Sequence, residues 1–210
     1  PLKIVEFGAG TGHLGLFLAW LSRGMGKNSW IVTLSDRRGP SLLRAVERGN
    51  EAGILPGILR IIEGDVEEAA LGSFDLGTSL HSCGELTDAA LDRIIVARAN
   101  YVLCPCCYGQ LRDSSRFPRS SSSIEGWDTE ALASGAEYNV VSRYGWNFAE
   151  TPEFALVKSC MRAIDRDRNL WAERSGGYLT SIHSLELQCS PKNNVICGSL
   201  REERMETVIG

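Results

Sequence analysis

Three glycines alternate with small residues in Gly8-Ala9-Gly10-Thr11-Gly12, directly after the apolar run Ile4-Val5-Glu6-Phe7 and directly before a helical pattern. Glycine lets a backbone turn tightly and lets a ligand press against it with no Cβ in the way. A pyrophosphate fingerprint carries its third glycine three places after the second, and His13 occupies that place here. The spacing departs from a dinucleotide site and fits an adenosyl ligand without phosphates. Two acids continue the pattern. Asp36 closes a second strand run, where a carboxylate accepts both ribose hydroxyls, with Arg37 beside it; Gly64-Asp65 closes a third, where an acid accepts the adenine amino group. Ligands of open α/β sheets bind outside the carboxyl ends of the strands, so these elements form one candidate cofactor site. Its expected members are Gly8, Ala9, Gly10, Thr11, Gly12, Asp36, Arg37, Gly64, Asp65 and Leu80.

A second group sits at the ends of the next two strands. Leu80-His81-Ser82-Cys83-Gly84-Glu85-Leu86-Thr87-Asp88 follows the fourth strand, and Cys104-Pro105-Cys106-Cys107-Tyr108-Gly109 follows the fifth. Both should line the acceptor side of the cleft, and His81, Cys83, Cys104 and Cys106 are the catalytic candidates. His81 is the candidate base because its unperturbed pKa lies near neutrality; it could equally cap the fourth strand. The cysteines have four readings. They pack as small apolar residues, they rim the acceptor pocket, one is a thiolate nucleophile with a depressed pKa, or they hold zinc. Adjacent Cys106 and Cys107 are expected to point apart, so no metal is expected. His13 is placed beside the cofactor loop, and His183 is read as structural.

These residues need a scaffold of alternating strands and helices. Strands are expected at 3–7, 30–35, 58–63, 74–80 and 101–104, with helices at 12–23, near 40–52 and at 85–98. Short connections between them imply βαβ units, a parallel sheet and helices on both faces. Residues 109–127, rich in Ser, Arg and Gly, read as a flexible loop inserted in one domain spanning 1–210. Thr151 and Pro152 start a long helix with Phe154, Val157, Met161 and Ile164 at helical spacing, and Gly176-Gly177 ends it. Strands at 178–187 and 195–198, joined by Ser190-Pro191-Lys192-Asn193-Asn194, form a hairpin that places an antiparallel strand at the sheet edge.

The glycine loop, Asp36 and Gly64-Asp65 resemble the first three motifs of class I S-adenosylmethionine-dependent methyltransferases. That resemblance implies a Rossmann-like, doubly wound seven-stranded sheet with its last strand antiparallel, S-adenosyl-L-methionine as cofactor, and Glu6 near the methionine part of it. The LHxCG and CPCC segments, Asp165-Arg166-Asp167-Arg168 and Pro191-Lys192-Asn193 together resemble a eukaryotic methyltransferase-domain family that includes the glutathione S-transferase C-terminal domain-containing protein. This implies a piece from the C-terminal part of a larger protein, as does a chain that begins within a strand pattern without Met. More loosely, the cysteine motif resembles eukaryotic tRNA 2′-O-methyltransferases. Methyl transfer from a sulfonium is a direct displacement, in which a protein mainly aligns acceptor and methyl group.

The net charge is -4, which excludes a global basic field for nucleic acid. The cations are mostly Arg, whose planar fork suits a local anion site. An odd count of seven cysteines, three of them crowded together, is not a disulfide framework and points to a reducing, cytoplasmic compartment. No apolar run spans a bilayer, so no membrane partner is expected. Tyr108, Arg112, Arg116, Phe117 and Arg119 interleave aromatic and basic residues, with Arg143, Tyr144 and Trp146 beyond them. Such a loop can stack a base and grip phosphates, which favours RNA as acceptor; the same residues also fit a solvated loop. The alternatives are a protein side chain, a small molecule, a cofactor-binding or inactive interaction module, and a dinucleotide-dependent oxidoreductase. Intact Gly8, Gly10, Gly12 and Asp36 argue against an inactive pocket, and His13 against the oxidoreductase.

Overall fold

In the computed structural model, the described residues are 1–201 apart from 29, 55, 113, 121–125, 139–148, 150 and 188. The strands are β1 (Lys3–Phe7), β2 (Ile31–Asp36), β3 (Leu59–Glu63), β4 (Leu76–Ser82), β5 (Asn100–Pro105), β6 (Tyr178–Ser184) and β7 (Asn194–Leu200). The helices are α1 (His13–Ser22), α2 (Gly39–Glu51), α3 (Leu86–Ala97), α4 (Thr129–Glu137) and α5 (Pro152–Gly176). One seven-stranded sheet runs β3-β2-β1-β4-β5-β7-β6. The first five strands are parallel; β7 is antiparallel to both neighbours. The hairpin does close the sheet, but its antiparallel member is the inner strand and β6 is the edge. Strand order reverses between β1 and β4, and the crevice outside that point is where open sheets bind ligands.

The side-chain period of two explains the layers. In β1, Ile4 joins Leu16, Ala19, Val32, Leu34, Leu42 and Ala45 in one core, while Val5 and Phe7 join Leu91, Ile94, Tyr101, Leu103, Tyr178 and Ile196 in another. A third core was not foreseen. Tyr108, Leu111 and Phe117 pack with Ala133 and Ala136 of α4 and with Phe154, Val157 and Met161 of α5. The expectation of a flexible loop is therefore corrected for 108–120: it opens with a short 3-10 turn, Tyr108–Leu111, and lies against helices. Helix α4, missed in the sequence, is capped by Asp128, whose carboxylate accepts from the Ala131 N–H at 2.9 Å. Helix α5 starts and ends as read, with Thr151 accepting from the Phe154 N–H at 3.2 Å and Gly177 at φ 70.

Helix α5 buries more than an apolar stripe. Arg168 is 1% exposed. Its Nε and Nη2 donate to both oxygens of Asp88 in α3, at 3.0 and 2.8 Å, and its Nη1 donates to Asp165 at 3.1 Å. Asp165 also accepts from the Tyr108 hydroxyl and the Asn194 amide, each at 2.7 Å. Arg119 adds a second guanidinium at 2.9 Å from Asp88 and also pairs with Asp92. Burial would raise the Asp88 carboxyl, but Arg168 and Arg119 more than offset this and hold it below the usual carboxylate range. For Asp165 burial wins, and its carboxyl is pushed up.

Removing one partner of such a network strands the other charges away from water. Arg168→Met is expected to lower the unfolding free energy by about 3–5 kcal/mol in equilibrium urea denaturation. A loss under about 1 kcal/mol would mean that the apolar cores alone hold α3 and α5 together.

Candidate functional site

The glycine loop leaves β1 and enters α1 with all three glycines at positive φ: 63 at Gly8, 55 at Gly10 and 74 at Gly12. Two of them also lack room. A Cβ on Gly8 would stand 2.6 Å from Leu86 Cδ2, and one on Gly12 would stand 2.8 Å from Leu34 Cδ1. Gly12 thus serves helix-on-sheet packing. Ala9 is buried beneath the loop, its N–H bonded to the Ser35 carbonyl at 3.1 Å. Thr11 is held from α2, where Arg48 donates to its carbonyl at 2.9 Å.

Asp36, at the end of β2, is buried, and its oxygens face the loop. Oδ2 accepts from the Gly10 N–H at 2.8 Å and Oδ1 from the Arg38 N–H at 2.9 Å. A carboxylate has about four lone-pair positions, so capacity remains on both oxygens. Glu6 lies below, 3% exposed, and accepts from the Gly15 N–H at 2.8 Å. Its pKa is raised to about 7, chiefly by burial, with the Gly15 N–H opposing and the Asp36 charge adding.

A cavity of 640 Å³ opens at the carboxyl ends of the strands, within the roughly 300–1,000 Å³ of small-molecule sites. Gly8, Asp36, Gly64, Asp65, His81 and Cys83 line it, and Arg37 joins them. The structure thus brings together residues separated in sequence by up to seventy-five positions, from the ends of four strands. Glu6, Ala9 and Thr11 support it from outside, and Leu80 sits one position back in β4, paired with Cys104 of β5. Leu86 of the first cysteine segment and Arg116 of the interleaved loop also line the cavity, and sequence reasoning missed Arg38 and Gln110, which join them. Gln110 had a signal, since it directly follows the second cysteine segment. Gly84, at φ 54, lets Gln110 approach where a Cβ would meet it at 2.7 Å.

His81 stands at φ 58, exposed, where the register between β4 and β5 shifts. A non-glycine residue in that region stores strain and marks functional sites more often than chance. The cysteines need two corrections. The first concerns the thiolate, since the net shift at Cys83, Cys104 and Cys106 is upward. Burial pushes up Cys83 and Cys106, and it raises Cys104 to about 11 with the charges of Cys197 and Asp165 adding, which is the opposite of the depressed pKa that a thiolate nucleophile needs. Nor do Cys106 and Cys107 diverge, since their Sγ atoms lie 3.5 Å apart.

The interleaved loop is also corrected. Tyr108 and Phe117 are buried, and their rings face the Arg168 guanidinium at 5.8 and 5.5 Å. The Arg119 side chain is 5% exposed and locked on Asp88 and Asp92. Arg112 is exposed, and Arg116 pairs with Glu67, Asp92 and Glu85. Arg143, Tyr144 and Trp146 lie outside the described residues. No helix among the described residues is long and apolar enough to cross a membrane. His183 lies in β6, outside the cavity lining, with its ring 2.9 Å from the Ser181 hydroxyl; His13 opens α1.

A mostly parallel sheet with this strand order, closed by an antiparallel hairpin and carrying a glycine loop and acids over one cavity, is the Rossmann-like architecture of S-adenosylmethionine-dependent methyltransferases. Residues 1–114 match the family described as a methyltransferase domain; the chain belongs to that family, and its cofactor is S-adenosylmethionine. It is 35% identical over 202 residues to the human glutathione S-transferase C-terminal domain-containing protein, covering 93% of this chain and 30% of that one. It is 31% identical over 199 residues to the homolog from Drosophila melanogaster, covering 93% of this chain and 33% of that one. The chain therefore spans about a third of the length of these curated relatives. A solved Staphylococcus aureus protein, provisionally a caffeoyl-CoA O-methyltransferase, matches at 14% identity and a TM-score of 0.51, over 94% of this chain and 76% of that one. That likeness shows the fold.

Glu6 gives the site a pH signature. Its folded-state pKa is raised, so its share of stability is full below pH 4.5 and is lost as pH rises through about 7. Glu6→Gln keeps an acceptor for the Gly15 N–H and does not titrate. The variant should match the wild type near pH 5 and exceed it by up to about 3 kcal/mol at pH 8, read by urea unfolding across that range. Parallel stability profiles would show that the Glu6 carboxyl titrates normally.

Proposed function

We propose that this domain transfers a methyl group from S-adenosylmethionine to RNA. The observation that carries the reading is the meeting, in one cavity, of Gly8 from the glycine loop, Asp36 and Gly64-Asp65 with His81 and Cys83. In this reading Gly8 and Gly10 give the cofactor close access to the backbone, and the free lone pairs of Asp36 accept the ribose hydroxyls. Asp65 takes the adenine side, and Glu6 fixes the start of α1 beneath the methionine part. The cofactor supplies an electrophilic sulfonium methyl. The chain's part is to hold an acceptor in line with it and to exclude water. His81, at the β4 end, takes the acceptor's proton.

RNA is favoured by the cations around the opening. Arg37 and Arg38 are exposed beside Asp36 and Arg112 is exposed after β5, whereas Arg116 on the cavity wall is already paired with Glu67, Asp92 and Glu85. Guanidinium forks suit phosphate oxygens, and a local cluster can act within a chain of net charge -4. The buried aromatics of the 108–120 segment leave this reading to charge rather than to base stacking.

Calorimetric titration of the full-length protein with S-adenosylhomocysteine tests the cofactor half. One-to-one binding is expected, weakened by about 1–3 kcal/mol, or roughly 5- to 150-fold, in Asp36→Ala. Unchanged affinity would remove Asp36 from the ribose. Label transfer from methyl-tritiated S-adenosylmethionine to total RNA tests the acceptor half. His81→Ala should abolish transfer while leaving the titration unchanged, and label found only on protein would replace RNA by a side chain.

A further inference from the structure

Cys83, Cys106 and Cys107 bring three sulfur atoms within 4.8 Å of one another. Cys106 Sγ lies 3.3 Å from Cys83 Sγ and 3.5 Å from Cys107 Sγ. The three come from two turns at neighbouring strand ends, Cys83 after β4 and the others after β5. Backbone bonds fix both turns: the Cys106 N–H donates to the Ser82 carbonyl at 3.3 Å, and the Tyr108 N–H donates to the Cys106 carbonyl at 3.0 Å. At Cys107 the backbone bends, with φ -88 and ψ 73, before the 3-10 turn, and this bend brings its thiol back beside its neighbour's. Cys104, one turn of the pleat earlier, is outside the cluster among the described residues.

A tetrahedral zinc thiolate has Zn–S near 2.3 Å, which sets the S···S edges at about 3.8 Å. The separations from Cys106 Sγ, 3.3 and 3.5 Å, lie within about half an ångström of that value. Sulfur-only donors select soft or borderline cations over magnesium and calcium. Cys83 and Cys106 are twenty-three positions apart in sequence, but the sheet itself holds the two donor turns in register. We propose that Cys83, Cys106 and Cys107 form a three-thiolate site for one zinc ion, on the wall of the methyltransferase cavity. Cys83 lines that cavity, so the fourth position of the tetrahedron opens toward it. The two turns would then be joined by a single ion in addition to their backbone bond. The site stands independently of the acceptor, since its readout is metal content.

The test uses the full-length protein, purified in reductant without chelator from zinc-replete cells, and elemental analysis by mass spectrometry. Cys83→Ser, Cys106→Ser and Cys107→Ser should each carry one equivalent of zinc less than the wild type, and the exposed Cys189→Ser should carry the same as the wild type. Should a serine variant misfold by circular dichroism, cobalt titration of metal-stripped wild type decides alone. A thiolate-to-cobalt charge-transfer band in the near ultraviolet is expected, and its absence overturns the site. Equal zinc in wild type and a folded Cys107→Ser, or a Cys83–Cys106 disulfide in reductant-purified protein, also overturns it.

Discussion

The buried guanidinium of Arg168 is the constraint around which the C-terminal half is arranged. A fully buried cation is tolerable only when its donors are satisfied and its charge is matched. Asp88 meets it with both oxygens, Asp165 with one, and the Gly84 carbonyl lies 3.4 Å away. Those partners belong to the turn after β4, the first turn of α3 and the middle of α5, so the distances among these elements have little freedom. Tyr108 and Asn194 extend the same set to the turn after β5 and to β7. Asp167 accepts from the Arg119 and Ser120 N–H groups at 2.6 and 3.0 Å, which pins the 108–120 segment along α5. The acceptor-side wall of the cavity is therefore built on charges that never touch a ligand.

The cofactor side rests on different physics. There the backbone is forced into conformations that only glycine adopts cheaply, and acids anchor it from below. Asp36 and Glu6 both bond to loop or helix N–H groups, one at the cavity and one in the core. Their proximity helps keep Glu6 hard to ionise, while Asp36 has the Arg38 guanidinium 3.6 Å away. One half of the site is shaped by backbone geometry and the other by paired charges.

This difference decides what could be read in the sequence. Gly8-Ala9-Gly10-Thr11-Gly12, Asp36 and Gly64-Asp65 are local signals at predictable strand ends, and the strands, α1, α2, α3 and α5 follow from apolar periodicity. The wall was harder because its partners are remote, as with Asp88 and Arg168, eighty residues apart. The Thr87-Asp88 half of the LHxCG segment looks like site chemistry in one dimension and is framework in three: the Thr87 hydroxyl caps the Ser82 carbonyl at 3.0 Å and Asp88 is fully buried. Tyr108, Phe117 and Arg119 read as an outward binding loop for the same reason, since nothing nearby in sequence announces Arg168. Helix α4 is short and weakly apolar, and it owes its packing to α5 and the 108–117 segment.

The position of β7 has a consequence for the order in which the chain assembles. The edge strand β6 is made before β7 but cannot reach β5 without it, because β7 lies between them. The β6–β7 hairpin has seven paired positions, Tyr178–Leu200 through Ser184–Asn194, against three between β7 and β5. Local closure costs less entropy than closure across the α4 and α5 region, so the hairpin forms first and docks as a unit. Until it docks, β5 is an open edge in a nascent polypeptide, with Tyr101 and Leu103 uncovered. During synthesis the cofactor half can close on itself early, while completion of the sheet waits for the last strand to leave the ribosome.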